Sequence, residues 1–286
     1  FFVQGLNCVS ACVPYMVLRL LALHGFGQNA EIFMQKRVKD LVRKLRSVVE
    51  LHAISAPHTL PYDPSLRCWW SYPENLWDGR GESNQALAEN LLQLDTFPHT
   101  GLQRSVELVL SEFFRGEYDG ILGFSQGAIL ATIVCAELQR RGSKACRFAV
   151  LVSGFGKPVP GDLDVYPLEE LLQVPSLHVW GLLDDHIPPT ASEVLESFFV
   201  APRRHVHQGA HFVPQKAADC QVFLEFFSQF ATLDVGVPLK QLAGASAKVS
   251  DGALAVSFPK SVEVPRSPGE LATSITYYSV GTTGLH

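Results

Sequence analysis

Gly123-Phe124-Ser125-Gln126-Gly127 is a G-x-S-x-G run set between the strand-like stretch Tyr118-Asp119-Gly120-Ile121-Leu122 and the helix-compatible run Ala128-Ile129-Leu130-Ala131-Thr132-Ile133-Val134. Three fixed positions recur by chance, so the context is what makes the run informative. A strand that turns sharply into a helix needs small residues on both sides of the serine. Such a turn holds Ser125 Oγ clear of the backbone, within reach of a base. It also sets the Gln126 N–H at the start of a helix, aimed at developing negative charge. The chemistry implied is attack by a serine on an acyl carbon.

A serine hydroxyl attacks an ester only with a base beside it, so the run predicts a histidine oriented by a carboxylate. Downstream, Trp180-Gly181-Leu182-Leu183-Asp184-Asp185-His186-Ile187-Pro188 places two acids directly after an apolar strand, at the edge where α/β enzymes build their sites. Gln208-Gly209-Ala210-His211-Phe212-Val213-Pro214 then places a histidine in a tight turn. Among ten histidines, His211 is the expected base, with His207 and His24 as alternatives. The order serine, acid, histidine is that of the α/β-hydrolases. Spacing alone leaves both Asp184 and Asp185 open as the acid, since one of them could instead cap the helix beginning near Pro188. A second oxyanion donor is expected from His24-Gly25-Phe26-Gly27, through the Phe26 N–H, with His24 bracing the loop. Losing one such donor typically costs about 3 kcal/mol of transition-state stabilisation.

These groups need a scaffold that brings them to one edge. Val17-Leu18-Arg19-Leu20-Leu21-Ala22-Leu23 reads as a first core strand, residues 29–46 as a helix and 48–54 as a second strand, a β-α-β unit. Residues 57–81 mix four prolines with Trp69, Trp70, Tyr72 and Trp77, a pattern of neither helix nor regular strand. Such a loop is usually functional, and with Phe97 its aromatics could wall an acyl-chain pocket or simply pack the loop onto the domain. Helices are expected at 84–94, 101–115, from the elbow to about 141, at 190–199 and at 214–230, with strands at 148–153, 176–181 and 203–207. The alternation implies an α/β domain with a mostly parallel sheet and helices on both faces. The expected boundaries are an extension over 1–16, the domain over 17–235 with a lid or substrate segment at 57–98, and a largely disordered tail over 236–286. Short β pieces such as Ala253-Leu254-Ala255-Val256-Ser257-Phe258 could still pair.

Composition narrows the partners. The net charge of −5, without a dense basic run, argues against nucleic acid and against an anionic membrane surface. The apolar start is too short to span a bilayer and leads directly into the first strand. Six cysteines lie without C-x-x-C pairs, which suits reduced thiols in the cytoplasm or nucleus. No His/Cys/Asp grouping has metal-site spacing, so neither metal nor cofactor is expected.

Four blocks resemble the FSH-type serine hydrolases: 23–29, 118–128, Gly181 through Asp184 to Pro188, and 209–214. They bracket about 17–230 in the right order. The resemblance implies an α/β-hydrolase fold, a Ser125-Asp184-His211 triad with Asp184 as the acid, and carboxylic esters or thioesters of short to long acyl chains as substrates. Fungal members suggest an alternative, release of an acyl or polyketide chain from a carrier protein. Ala210 departs from the family, which commonly has a second glycine there; alanine fits unless its φ is positive. A binding protein that keeps the fold without catalysis is the rival of another class, and three polar groups in triad order argue against it.

Overall fold

The computed structural model describes residues 16–72, 100–156 and 170–231, together with the backbone of 246–250 and 253–257. Trp77, Phe97, the helix expected at 84–94 and the extension before residue 16 lie outside the described residues.

In chain order the elements are β1 (Leu18–Leu23), α1 (Ala30–Ile32), a π-helical turn (Phe33–Arg37), α2 (Lys39–Leu45), β2 (Val49–Ile54), β3 (His58–Leu60) and β4 (Asp63–Cys68). There follow α3 (Leu102–Arg115), β5 (Gly120–Phe124), α4 (Gln126–Arg140), β6 (Phe148–Val152), β7 (Ser176–Gly181), α5 (Pro189–Glu196), β8 (Arg203–His207) and α6 (Ala217–Phe227). β9 (Ser246–Ser250) and β10 (Ala253–Ser257) pair antiparallel, so the short β pieces of the tail pair with each other.

Six strands form one parallel sheet in the order β2-β1-β5-β6-β7-β8. Both faces are covered, which is why the strands read as unbroken apolar runs. Leu20 and Ala22 of β1 join Leu122, Phe124, Val150 and the Phe-rich face of α6 in one layer. Leu21 and Leu23 join Ile121, Leu151 and the inner faces of α3, α4 and α5 in the other. This is the α/β-hydrolase architecture. From β1 the chain steps outward to β2, then crosses to the other side of β1 for β5. A crevice therefore opens between the carboxyl ends of β1 and β5, where such sheets bind ligands.

Three local expectations are corrected. The helix expected over 29–46 breaks at Val38, whose φ is −127°. Phe33 and Val38 are both fully buried, yet five residues apart on a regular α-helix they would point about 140° from each other. The Val38 N–H instead donates to the Phe33 carbonyl, an i to i−5 bond of 3.1 Å that widens the turn and buries both. Within 57–81, residues 58–68 form a two-stranded ribbon, β3 paired with β4. Pro64 lies exposed in it, as an isolated ribbon allows. The closing helix begins at Ala217 behind Lys216, with Pro214 ahead of it in the loop. Cys68, Cys135, Cys146 and Cys220 are free thiols. No helix among the described residues is long and apolar enough to cross a membrane.

Candidate active site

Ser125 stands between β5 and α4 with φ 55° and ψ −120°. A side chain in that conformation is strained, and strain of this kind clusters where a group must be presented. The flanking glycines explain how the turn closes. A Cβ at Gly123 would overlap the Gly127 carbonyl and the Ala128 Cα, and a Cβ at Gly127 would overlap the carbonyl oxygens of Leu23 and His24. Helix α4 thus sits down on its own strand and on the end of β1, and the elbow lies against the His24–Gly27 loop. Gln126 is the first residue of α4, where N–H groups have no acceptor within the helix.

The acid and the histidine arrive from the next strands. His211 Nδ1 donates to Asp184 Oδ2 at 2.8 Å, with Oδ1 at 3.1 Å. The carboxylate can only accept, so Nδ1 carries the proton and Nε2 is left as the basic nitrogen. The His211 ring packs on Phe124, the residue before Ser125, with centroids 4.9 Å apart. Its other neighbour is His186, stacked at 4.8 Å and 8°. Asp184 Oδ1 also accepts from the N–H groups of His186 (3.0 Å) and Ile187 (2.8 Å). Burial pushes the Asp184 carboxyl upward, but the His211 ring, the Ile187 N–H and the Ser153 hydroxyl outweigh it and hold the group below the ordinary carboxylate value. Asp185 is exposed and bonds its own neighbour, His186 Nδ1, at 2.8 Å. It is Asp184 that reaches His211. Asp184, Asp185 and His186 could each offer one ligand atom within 4.8 Å of one another, though both carboxylates already serve the two histidines. Ala210 is absent from the non-glycine residues with positive φ, so the methyl group in place of a family glycine is unstrained.

The loop after β1 is held from several sides. The Gly27 N–H donates to the Arg67 carbonyl (3.0 Å), and the Arg67 N–H donates to the Gln28 carbonyl (2.8 Å), tying the loop to β4. His24 is fully buried, and burial lowers its pKa to about 4. It is neutral: Nδ1 donates to the Gly25 carbonyl at 2.7 Å and Nε2 accepts from the Ala56 N–H at 3.0 Å. The expected brace is there. The Phe26 ring meets Tyr72 at 5.6 Å.

Trp69 and Trp70, open between walling a pocket and packing the loop, are 0% and 3% exposed and pack in the core layer beneath α3 and α4. What they give the site is support. Tyr72 is partly exposed and packs against the Phe26 ring. Three further groups bear on the site that spacing did not single out. They are the Gln126 side chain, the stacked His186, and Ser153, a buried serine with φ 47° at the end of β6 whose hydroxyl has no other partner among the described residues. Only Ser153 had a visible signal, its place at the carboxyl end of a core strand.

Residues 16–223 match the family model described as Serine hydrolase (FSH1). Esterase OVCA2 of Xenopus tropicalis is 36% identical over 234 residues, covering 76% of this chain and 94% of that one. Esterase OVCA2 of Homo sapiens is 36% identical over 229 residues, covering 75% and 97%. Among solved structures, that of esterase PE8 covers 76% of this chain and 98% of its own at 19% identity, with a TM-score of 0.49. The chain belongs to the FSH1 serine hydrolase family.

Proposed function

We propose that this chain hydrolyses carboxylic esters or thioesters of acyl chains through an acyl-enzyme on Ser125. One observation carries the reading: the serine is held in a left-handed elbow while the adjacent Phe124 packs on a histidine whose Nδ1 is fixed on a buried carboxylate. In the reaction His211 Nε2 takes the Ser125 hydroxyl proton as Oγ attacks the acyl carbon. The imidazolium is stabilised by Asp184, which need not accept the proton. The backbone N–H groups of Phe26 and Gln126 receive the oxyanion of the tetrahedral intermediate. His211 then protonates the departing alcohol or thiol, and a water activated by the same Nε2 releases the acid. The names of the curated relatives support ester cleavage.

The test is hydrolysis of p-nitrophenyl esters of increasing chain length and of acyl-CoA by wild type and Ser125→Ala, with fluorophosphonate labelling alongside. Loss of both turnover and labelling in the variant is expected, and the length series reports the acyl preference. Turnover retained by Ser125→Ala would remove Ser125 as the nucleophile. A folded wild type that neither turns over nor labels would favour a binding role.

A further inference from the structure

The Gln126 side chain does not face the crevice. It is 2% exposed, its Oε1 accepts from the Trp69 N–H at 2.8 Å, and its Nε2 donates to the Trp70 carbonyl at 3.0 Å. Both bonds are buried, and both go to the backbone of the segment that follows β4. That segment in turn grips the loop after β1, because Trp69 Nε1 donates to the His24 carbonyl at 2.8 Å and the Trp69 and His24 rings lie 5.0 Å apart. The Ser105 hydroxyl on α3 donates to the Trp69 carbonyl, and the Tyr72 ring packs edge-on to Trp70. A continuous buried path therefore runs from the first residue of α4, through Trp69, to the carbonyl two residues before Phe26. One end is the side chain of the residue whose backbone N–H is one oxyanion donor of the proposed reaction, and the other is the peptide unit immediately before the one that carries the Phe26 donor.

We infer that the side-chain amide of Gln126 is a positioning group that locks the Phe26 loop to the elbow, so that one residue supplies an oxyanion donor from its backbone and fixes the other donor from its side chain. The inference rests on the acyl-transfer reading above and adds a role that reading does not need. Its physical basis is that a tetrahedral oxyanion is stabilised only by donors already in place when charge develops. The paired bonds of a primary amide define the distance between two chain segments in a way an apolar side chain of the same length cannot. An error of about 1 Å in such a site costs on the order of 100-fold in rate.

Gln126→Met keeps length and the backbone N–H while removing both side-chain bonds. Trp69→Phe keeps the backbone bond from Trp69 to Gln126 and removes the donor to the His24 carbonyl together with part of the buried indole's packing. Each variant is assayed for kcat and KM on a p-nitrophenyl ester, and for Ki of an alkyl trifluoromethyl ketone, whose adduct with serine places an oxyanion in the same hole. Each is expected to lose about tenfold to 100-fold in kcat, with KM within about twofold and Ki for the ketone raised by the factor lost in kcat. Because both act on one connection, the double variant is expected to match the worse single variant rather than the product of the two. Folded Gln126→Met with wild-type kcat and ketone affinity would overturn the inference, as would losses that multiply in the double variant or fall on KM alone. Should Gln126→Met not fold, Trp69→Phe decides on the same readouts. Fluorophosphonate labelling of Ser125 in the wild type tests the parent reading separately, so the two failures are distinguishable.

Discussion

At the scale of single residues the pair Asp184 and His211 does two jobs with one contact. The hydrogen bond of 2.8 Å fixes the tautomer that leaves Nε2 basic, and in the proposed reaction the negative charge would stabilise the imidazolium formed during attack. Asp184 can stay ionised in a side-chain environment with no solvent exposure because three N–H groups, from His211, His186 and Ile187, are already turned toward it. Asp184→Asn keeps the shape and removes the charge, and it allows the amide to donate to Nδ1 and present the wrong tautomer. In the proposed reaction kcat is expected to fall by about 10³- to 10⁴-fold, with circular dichroism and KM near wild type. A loss under tenfold in the folded variant would mean that Asp184 is a turn-capping residue and that the base is oriented by another group.

At the scale of elements the site depends on how closely α4 approaches β1 and β5, and glycine is what permits it. In Gly127→Ala the added methyl group meets the carbonyl oxygens of Leu23 and His24, backbone atoms that cannot swing aside. The expected result is destabilisation of about 2–3 kcal/mol together with a large loss of kcat, since α4 must lift away from the Phe26 loop. Gly142 is the control. It also has a left-handed φ, +67°, but has nothing within 4 Å of an added Cβ, so Gly142→Ala should cost about 1 kcal/mol and leave kcat unchanged. Equal effects on kcat, read beside urea unfolding, would sink the close-approach argument. The same elements show what a sequence displays and what it hides. The G-x-S-x-G run was legible because its glycines are dictated by backbone contact in one short segment, and the order of Asp184 and His211 follows from strand ends. The π-helical turn was hidden, since Phe33 and Val38 are forced together by packing on the sheet rather than by their own spacing. The β3–β4 ribbon was hidden by Pro61 and Pro64, which are unwelcome in a central strand but allowed in an isolated pair. The tryptophans stayed open between pocket wall and loop packing because composition carries no direction; only tertiary contacts reveal that Trp69 points its indole N–H at the His24 carbonyl.

At the scale of the whole molecule, the fold buries two histidines in the neutral form. His24 lies at the end of β1 with its pKa lowered by burial to about 4, and His178 lies in β7 against Phe199 with its pKa lowered by burial, and then by Arg204, to about 3. Unfolded, each would titrate near its ordinary value of 6.5. Between about pH 6.5 and 4 the unfolded chain therefore binds protons that the native chain refuses, so stability rises with pH across that window and is lost as pH falls through it. Each group contributes a slope of up to about 1.4 kcal/mol per pH unit. Asp184 acts in the same direction but lower, since its depressed pKa keeps its contribution until the pH passes below the ordinary carboxylate range. Urea unfolding at pH 7, 6 and 5 should thus show stability falling by more than one proton equivalent per unit. His178 is remote in role from the proposed chemistry, with its Nε2 on Ser176 at 3.1 Å, and His178→Phe removes one titrating group from the balance. Leaving the Ser176 hydroxyl unpartnered shifts stability by an offset that is the same at every pH, so the slope is the clean readout. It should drop by close to one proton equivalent between pH 6 and 5. An unchanged slope in the folded variant would show that His178 is protonated in the native state and that the acid sensitivity of the fold has another source.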